Sequence, residues 1–313
     1  MEQATFNRLL AAAARSGASD LHLKVGAPPA VRIHGVLTPV RVPSLAAEDM
    51  DRIAGYLLAA PGPVTPASGP QERDGSYVVE GAARYRLNLY RQKGSWAASL
   101  RVIRAEIPTF AELGLPPVVE RIANEERGLV VVTGRTGSGK TSTLAAIVGH
   151  VNRTSRKHIL TIEDPIEYVH EDALARISQR EVGTDTGSFS AALRSGLRQN
   201  PDVLLVGEMR DYETIDIALK AAETGLLVLA TLHTSDAAQT IGRVVGAFPT
   251  EAQAVARLRL ADALRATISQ RLVPAASGTG RVLAAEVLVS TFSVQTLIRS
   301  PEKMDQHRDY LES

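Results

Sequence analysis

Residues 129–143 read LVVVTGRTGSGKTST, an apolar run of strand-forming residues that breaks into a glycine-rich loop and continues as a helix-forming stretch. The loop has the spacing G-x-x-x-x-G-K-T, in which glycines let the backbone turn several N–H groups inward around an anion. The N-terminus of the helix that follows adds a positive partial charge at the same place. The segment therefore predicts a loop that binds the phosphates of ATP or GTP. The predicted nucleotide-binding residues are Gly134, Arg135, Thr136, Gly137, Ser138, Gly139, Lys140, Thr141 and Ser142.

Two side chains of this loop have a predicted chemical role. We expect the ammonium group of Lys140 to reach the β- and γ-phosphates, and the hydroxyl of Thr141 to ligand Mg²⁺. A glycine turn that binds nothing is the alternative, but it does not require a strand before the loop and a helix after it. The required context is present, so a nucleotide and Mg²⁺ are the expected ligands.

Composition limits what surrounds the loop. The chain has 313 residues, enough for about two domains with a proper core. Its 35 Lys and Arg nearly balance 34 Asp and Glu, which does not favour direct binding of nucleic acid or of an anionic membrane. The absence of cysteine excludes disulfides and a cysteine-ligated zinc site, so no zinc is expected. With neither a signal-peptide pattern nor an apolar run of about 18 residues, we expect a soluble cytoplasmic protein.

The first hundred residues predict a small α+β domain. Residues 5–16 have the apolar spacing of a helix, and the runs LHLKV, AVRIHGVLTPV, SYVVE, ARYRLNLYRQ and WAASLRVI have the partial alternation of antiparallel strands. Prolines at three positions of residues 108–117 interrupt both helix and strand. We therefore predict an amino-terminal domain of residues 1–107, a linker of residues 108–117 and a second domain of residues 118–313.

The second domain alternates strands and helices. Apolar runs LVVVT, HILTIE, DVLLVGE and LLVLATLH are separated by helical segments at 140–152, 189–198 and 212–223. This pattern predicts an α/β P-loop domain with a parallel-rich sheet covered on both faces. We also expect a long helical region over residues 251–272, then the strand RVLAAEVLV and a closing helix around residues 294–298.

Acidic side chains follow two of these strands. Glu163 and Asp164 end the first strand after the loop, within TIEDPIEY, and Glu208 ends VLLVGE, where it resembles a Walker B acid with Gly207 in the usual aspartate position. A carboxylate at this edge orients or deprotonates the attacking water, and Glu208 is also a predicted Mg²⁺ ligand. Each acid alone is as readily a helix cap. Their order after the loop favours catalysis, and which glutamate is the base stays open.

Two further kinds of residue are catalytic candidates. His233 ends another strand at the same predicted edge, where a γ-phosphate sensor would lie, although a lone histidine after a strand is usually structural. Arg84 and Arg86 belong to an arginine-rich stretch of the first domain, and alternating arginines on strands more often form a solvated face. Phosphoryl transfer is commonly completed by an arginine supplied in trans, and no arginine of the second domain is an obvious candidate.

The order and spacing of these motifs resemble the secretion-type hexameric ATPases, and most closely the type IV pilus retraction motors. The resemblance extends over about residues 19–299. The segments that carry it are SDLHLKVGAPPAVRIHG, GRTGSGKTST, TIEDPIEY, QREVGTDTGSFSAALRSGLRQNPDVLLVGEMRD, AAETG, TLHTSDAAQTI and ISQRLVP.

This resemblance implies a PAS-like amino-terminal domain, a RecA-like ATPase domain and a ring of six copies. It implies that an Asp box, a Walker B glutamate and a His box surround the nucleotide, and that arginines approach it from the mobile amino-terminal domain or the neighbouring subunit. The matching residues are Glu163, Asp164 and Glu167 for the Asp box, Glu208 for Walker B, His233 for the His box, and Arg84 and Arg86. The implied partner is a pilus platform protein of the inner membrane, so the cytoplasmic protein would dock at the inner face of that membrane.

Two departures from the family pattern keep other functions open. Leu226 stands where the His box usually begins with a second histidine, and SVQTLIR only partly matches the carboxy-terminal motif of retraction motors. These differences allow an accessory or regulatory paralogue with weak turnover that acts on another pilus ATPase. A pilus assembly or type II secretion ATPase is a third reading, disfavoured because those proteins usually carry an extra domain and a tetracysteine zinc insertion.

Overall fold

The computed structural model describes residues 1–33, 35–59, 64–66, 69–103, 106–276 and 280–300. The chain divides into two compact units, Met1–Glu106 and Ile107–Ser313. Within the described ranges, no helix is long and apolar enough to cross a bilayer.

The first unit is a six-stranded antiparallel sheet with two helices on one face. Alternate strand residues supply the apolar layer beneath the helices, and that core includes the fully buried Phe6, Leu21, Ile53, Tyr85 and Trp96. The strand order is β3-β2-β1-β6-β5-β4. The elements are α1 (Gln3–Arg15), β1 (Asp20–Lys24), β2 (Ala30–Ile33), β3 (Val36–Pro39), α2 (Ala47–Leu57), β4 (Glu72–Val79), β5 (Ala83–Gln92) and β6 (Ser95–Ile103).

The second unit is an α/β layer structure built on a seven-stranded sheet of order β13-β12-β7-β11-β10-β8-β9. Six neighbouring strands are parallel and β13 is an antiparallel edge strand. Its elements are α3 (Val118–Ala123), β7 (Gly128–Thr133), α4 (Lys140–Thr154), β8 (His158–Glu163), β9 (Arg176–Glu181), α5 (Phe189–Gly196), β10 (Val203–Val206), α6 (Tyr212–Glu223), β11 (Leu227–Leu232), α7 (Ala237–Gly246), α8 (Gln253–Ala263), β12 (Leu264–Pro274), β13 (Arg281–Val289) and α9 (Phe292–Arg299).

Burial on both faces of this sheet explains the continuous apolar strands. Along β7, Leu129 and Val131 pack with the core beneath α5 to α8, whereas Val130 and Val132 pack with the core beneath α3 and α4. The prediction of a parallel-rich sheet covered on both faces is confirmed.

One prediction in this unit is wrong. The long helix expected over residues 251–272 ends at Ala263, and its second half is the strand β12. Ala266 and Ile268 are fully buried there, since β12 pairs with β7 on one side and with β13 on the other. The arginines and alanines of this stretch favour a helix locally, but the sheet position overrides that preference.

The proline-rich stretch predicted as a linker packs within the second unit. Leu115 is buried in the core that contains Ile147 and Val148 of α4, and Phe110 and Leu113 pack against the same core. The described boundary lies between Glu106 and Ile107, at the start of the stretch.

Candidate active site

The predicted phosphate loop connects β7 to α4 as a tight backbone cradle. Gly134, Gly137 and Gly139 have positive φ angles of 139°, 79° and 93°. A Cβ atom on Gly134 would lie 2.4 Å from the Gln270 carbonyl oxygen and 2.5 Å from Ser138 Oγ, so only glycine fits there. Ser138 Oγ is itself buried without a hydrogen-bond partner. The cradle and this unsatisfied hydroxyl fit an anion with several oxygens.

Lys140 is folded back onto the loop that it follows. Its Nζ donates hydrogen bonds to the carbonyl oxygens of Gly134 (2.8 Å) and Arg135 (3.2 Å) and lies 3.4 Å from Nδ1 of His233. The side chain is only 8% exposed. Burial lowers the pKa of Lys140, and the carboxylates of Glu208 and Glu167 oppose that change. A phosphate entering the cradle would offer this ammonium group stronger acceptors than carbonyl oxygens.

His233 and Glu208 meet Lys140 at the carboxyl edge of the sheet. His233 follows β11, Glu208 follows β10, and His233 Nε2 lies 3.3 Å from Glu208 Oε1. Because an ammonium group cannot accept a hydrogen bond, Nδ1 of His233 is the acceptor towards Lys140 and Nε2–H faces the carboxylate. The structure therefore brings together three of the residues predicted for the site from three different segments.

Arg210 is a member of this group that the sequence reasoning missed. Both Nε and Nη2 of Arg210 lie 2.8 Å from Glu208 Oε2, and Nη1 lies 3.9 Å from Asp164 Oδ2. Arg210 is thus an arginine of the second domain that lies beside predicted site residues, although no arginine of that domain was an obvious candidate from the sequence. The signal was present in GEMRD, in which an arginine follows the predicted acid Glu208 by two residues.

Glu163 is the most deeply buried acid of the site. It is the last residue of β8 and is 8% exposed, and its Oε1 accepts hydrogen bonds from Thr161 Oγ1 (2.7 Å) and Gln179 Nε2 (3.1 Å). Burial raises the pKa of Glu163, although both hydrogen bonds act in the opposite direction. A carboxyl group with a raised pKa is a better proton acceptor than an ordinary glutamate, which suits a general base.

Thr141 and Ser142 lie in the first turn of α4. Ser142 Oγ is 2.9 Å from the hydroxyl of Tyr168, which links this helix to the segment after β8. The Thr141 hydroxyl and the Glu208 carboxylate, the two predicted Mg²⁺ ligands, both offer oxygen atoms, which Mg²⁺ prefers. No group of three or more His, Cys, Asp or Glu side chains forms a metal site in the described part of the chain. Mg²⁺ needs no such cage, because it usually takes one or two protein ligands, phosphate oxygens and water.

Arg84 and Arg86 lie on β5 in the first unit, on the opposite sheet face from the buried Tyr85 and Leu87. Arg86 pairs with Arg101 of β6 in the sheet register, and Arg84 Nη2 donates to Ser76 Oγ (2.7 Å). Like charges directly opposite each other destabilise a sheet unless something compensates for them. Asp20 compensates part of this charge, because its Oδ1 pairs with Arg101 Nε (2.9 Å).

Leu226 lies far from the glycine cradle and from His233. It precedes β11, where its carbonyl oxygen accepts a hydrogen bond from Gly128 at the start of β7, and it packs partly buried against the core. The cradle follows the carboxyl end of β7 and His233 follows the carboxyl end of β11, whereas Leu226 precedes the amino end of β11. Six residues of strand separate these two ends by about 20 Å. The substituted histidine position therefore does not contact the candidate site.

Comparison with known proteins gives one consistent family. The family model described as type II/IV secretion system protein matches residues 2–309. The type IV pilus retraction ATPase PilT of Pseudomonas aeruginosa is 47% identical over 291 residues, which cover 93% of this chain and 84% of the relative. A twitching motility protein of Neisseria gonorrhoeae is 42% identical over 280 residues, covering 87% of this chain and 72% of the relative.

A solved structure has the same fold. The crystal structure of the pilus retraction motor PilT with bound ADP is similar with a TM-score of 0.89 and 44% identity, covering 98% of this chain and 89% of that one. The predicted fold class and the predicted resemblance to secretion ATPases are confirmed. The chain belongs to the type II/IV secretion system protein family, and its relatives there include pilus retraction ATPases.

Proposed function

We propose that this chain is a motor ATPase that hydrolyses ATP to drive retraction of a type IV pilus. The observation that carries the proposal is the meeting of Lys140, His233 and Glu208 beside the glycine cradle. An anion-binding loop alone would only hold a nucleotide. A buried lysine, a histidine and a carboxylate at the same edge add the charges that phosphoryl transfer requires.

In hydrolysis, the loop N–H groups and Lys140 stabilise the negative charge that develops on the transferred phosphoryl group. Glu163 accepts the proton of the attacking water, and its place at the carboxyl end of β8 together with its raised pKa supports that role. His233 reports loss of the γ-phosphate, because it already contacts the lysine that this phosphate would attract.

Thr141 and Glu208 would hold Mg²⁺. When bound, this ion would neutralise charge on the phosphate oxygens. Glu208 keeps one oxygen towards His233 and the other towards Arg210, so its carboxylate is already oriented.

We further propose that the protein works as a homo-hexamer in which Arg84 and Arg86 act on the nucleotide of the neighbouring subunit. A head-to-tail ring brings the same surface of each copy to the next copy's site. Arg84 and Arg86 lie on the same face of β5 and would supply the positive charge. In this proposal the two units, residues 1–106 and 107–313, are the moving domains, because residues 108–117, first predicted as the linker, pack within the second unit.

The cellular setting follows from the proposed role. We place the hexamer in the cytoplasm, docked at the inner face of the membrane on a pilus platform protein, with cooperation from another pilus ATPase as an option. An accessory paralogue with weak turnover is the rival proposal, based on Leu226 and on the partial match of SVQTLIR to the carboxy-terminal motif. Within one copy, the distance of Leu226 from the site supports the motor over this rival. No structural observation on the described residues favours the third interpretation, a pilus assembly or type II secretion ATPase.

A cellular test separates these roles. In cells that lack the gene, labelled pili should extend and remain extended, and the wild-type gene should restore retraction whereas Lys140→Ala should not. Loss of pili from the deletion strain would indicate an assembly motor. Normal retraction in that strain, together with negligible ATPase activity of the pure protein, would support the accessory role.

A mixing experiment tests the action in trans. Subunits with Arg84→Ala and Arg86→Ala are mixed with Lys140→Ala subunits, so that some interfaces combine an intact loop with intact arginines. We expect partial recovery of ATP hydrolysis as the ratio is varied. If labelled subunits show that mixed rings form and no activity returns, Arg84 and Arg86 do not act in trans.

A further inference from the structure

Arg210 occupies a position that its backbone fixes firmly. Gly207 N donates to Ile162 O of β8 (2.8 Å), and Met209, which is buried, donates its N–H to Thr231 O of β11 (3.1 Å). Asp211 then caps α6 through Thr214 N (2.8 Å). The segment after β10 is therefore anchored on both sides of Arg210, whose side chain contacts that of Glu208, two residues earlier.

The arginine side chain lies between two acidic strand ends. It contacts Glu208, which follows β10, and Asp164, which follows β8, and these two strands are neighbours in the sheet. Two carboxylates at adjacent strand ends repel each other, and a guanidinium group between them reduces that repulsion. The Arg210 side chain is 60% exposed, so these ion pairs add little to folding stability.

Glu208 consequently has a donor at each oxygen. His233 faces Oε1 and Arg210 holds Oε2, so the plane of the carboxylate is set by two groups from different segments. Removing Arg210 would leave Glu208 held through Oε1 alone and would take away the guanidinium group between Glu208 and Asp164.

We propose that Arg210 is a positioning residue for ATP hydrolysis, which orients Glu208 and lowers the excess negative charge that Glu208 and Asp164 present to a divalent cation. The proposal rests on the proposed function, because it assigns Glu208 to the metal side of the nucleotide. It predicts two separable effects of losing the arginine, weaker catalysis and tighter metal binding.

The test uses full-length wild-type protein and the variants Arg210→Ala and Arg210→Lys, with Arg176→Ala as the matched control. Arg176 forms an exposed ion pair with Asp172 and begins β9 at the other edge of the sheet. Three quantities are measured: binding of a fluorescent ADP analogue over a range of Mg²⁺ concentrations, kcat and KM for ATP, and the thermal midpoint.

For Arg210→Ala we expect kcat to fall about tenfold or more with a smaller change in KM, because an oriented carboxylate is lost. The Mg²⁺ concentration that half-saturates analogue binding should fall about threefold or more, since a neighbouring positive charge is removed. Arg210→Lys should keep the wild-type Mg²⁺ requirement and recover part of kcat, because lysine retains the positive charge but cannot donate the paired hydrogen bonds of a guanidinium group. The thermal midpoints should stay close to that of Arg176→Ala.

An Arg210→Ala protein that matches Arg176→Ala in kcat and in Mg²⁺ requirement overturns the proposal. So does an equal loss of analogue affinity at every Mg²⁺ concentration, which would mean that Arg210 contacts the nucleotide itself. The binding measurement needs no turnover, so it decides on Arg210 even if the wild-type protein fails to hydrolyse ATP. That failure would instead contradict the proposed function.

Discussion

Replacing Gly134 by alanine tests the cradle through its geometry. The added Cβ atom would lie 2.4 Å from the carbonyl oxygen of Gln270, where contacts of that kind do not occur. Gln270 belongs to β12, whose neighbour Ser269 pairs with Thr133, so the carbonyl cannot retreat without disturbing the sheet. The φ of 139° at Gly134 adds strain for any other residue, of about 1–3 kcal/mol.

The loop, rather than the strand, should yield to this overlap. Residues 135–137 are exposed, whereas β12 is held on both sides by paired strands. Strain and overlap together should cost about 3 kcal/mol, which appears as displacement of the phosphate-binding N–H groups. That energy corresponds to about 10²-fold weaker binding of ADP.

The assay is titration of a fluorescent ADP analogue, with thermal unfolding of the same samples. Gly242→Ala is the control, because Gly242 lies within α7 and a Cβ there meets nothing within 4 Å. Alanine should stabilise that helix by about 0.5–1 kcal/mol and leave binding unchanged. If Gly134→Ala binds the analogue as tightly as wild type and unfolds at the same temperature, the cradle described here is not the nucleotide site.

Three other changes have defined outcomes. Lys140→Ala should abolish ATP hydrolysis and weaken nucleotide binding while the circular dichroism spectrum stays native, because the ammonium group contacts loop carbonyls and His233; turnover near wild type would be incompatible with its role. Glu163→Gln should lower kcat by about 10²-fold. Because burial raises the pKa of Glu163, the free energy of unfolding of the wild type falls as the pH rises from the ordinary glutamate pKa through the raised one. Urea unfolding should therefore show Glu163→Gln gaining stability relative to the wild type over that interval. A difference in stability that stays unchanged from pH 4 to 8 would argue against a buried, ionising Glu163. Leu226→His should leave kcat within about twofold and cost about 1 kcal/mol of stability, since the position packs on the core far from the cradle; a large gain in kcat would restore the accessory interpretation.

The loop and the main strands could be predicted because their signals are local. The sequence of β7, the glycines and Lys140 form one continuous segment whose backbone requirements are visible residue by residue. The acids at Glu163 and Glu208 followed from strand ends and from the rule that parallel strands end at one edge. The same rule placed His233, and the structure brings it within 3.4 Å of Lys140.

The features that were not predicted from the sequence depend on contacts between distant segments. β12 looks helical locally, and only its place between β7 and β13 makes it a strand. The role of Arg210 depends on Asp164, 46 positions earlier in the chain, which becomes its neighbour only when β8 and β10 pair. The position of Leu226 also depends on the fold, because the motif pattern gives no distance between the two ends of β11.

The most direct measurement is steady-state ATP hydrolysis by the purified wild-type chain in the presence of Mg²⁺, with Lys140→Ala prepared in parallel. The account predicts sustained phosphate release by the wild type, none above background for Lys140→Ala, and loss of the wild-type activity when Mg²⁺ is chelated. A folded wild-type protein that binds ATP but releases no phosphate, or a Lys140→Ala variant that hydrolyses it normally, would contradict the claim that this site is a motor ATPase centre.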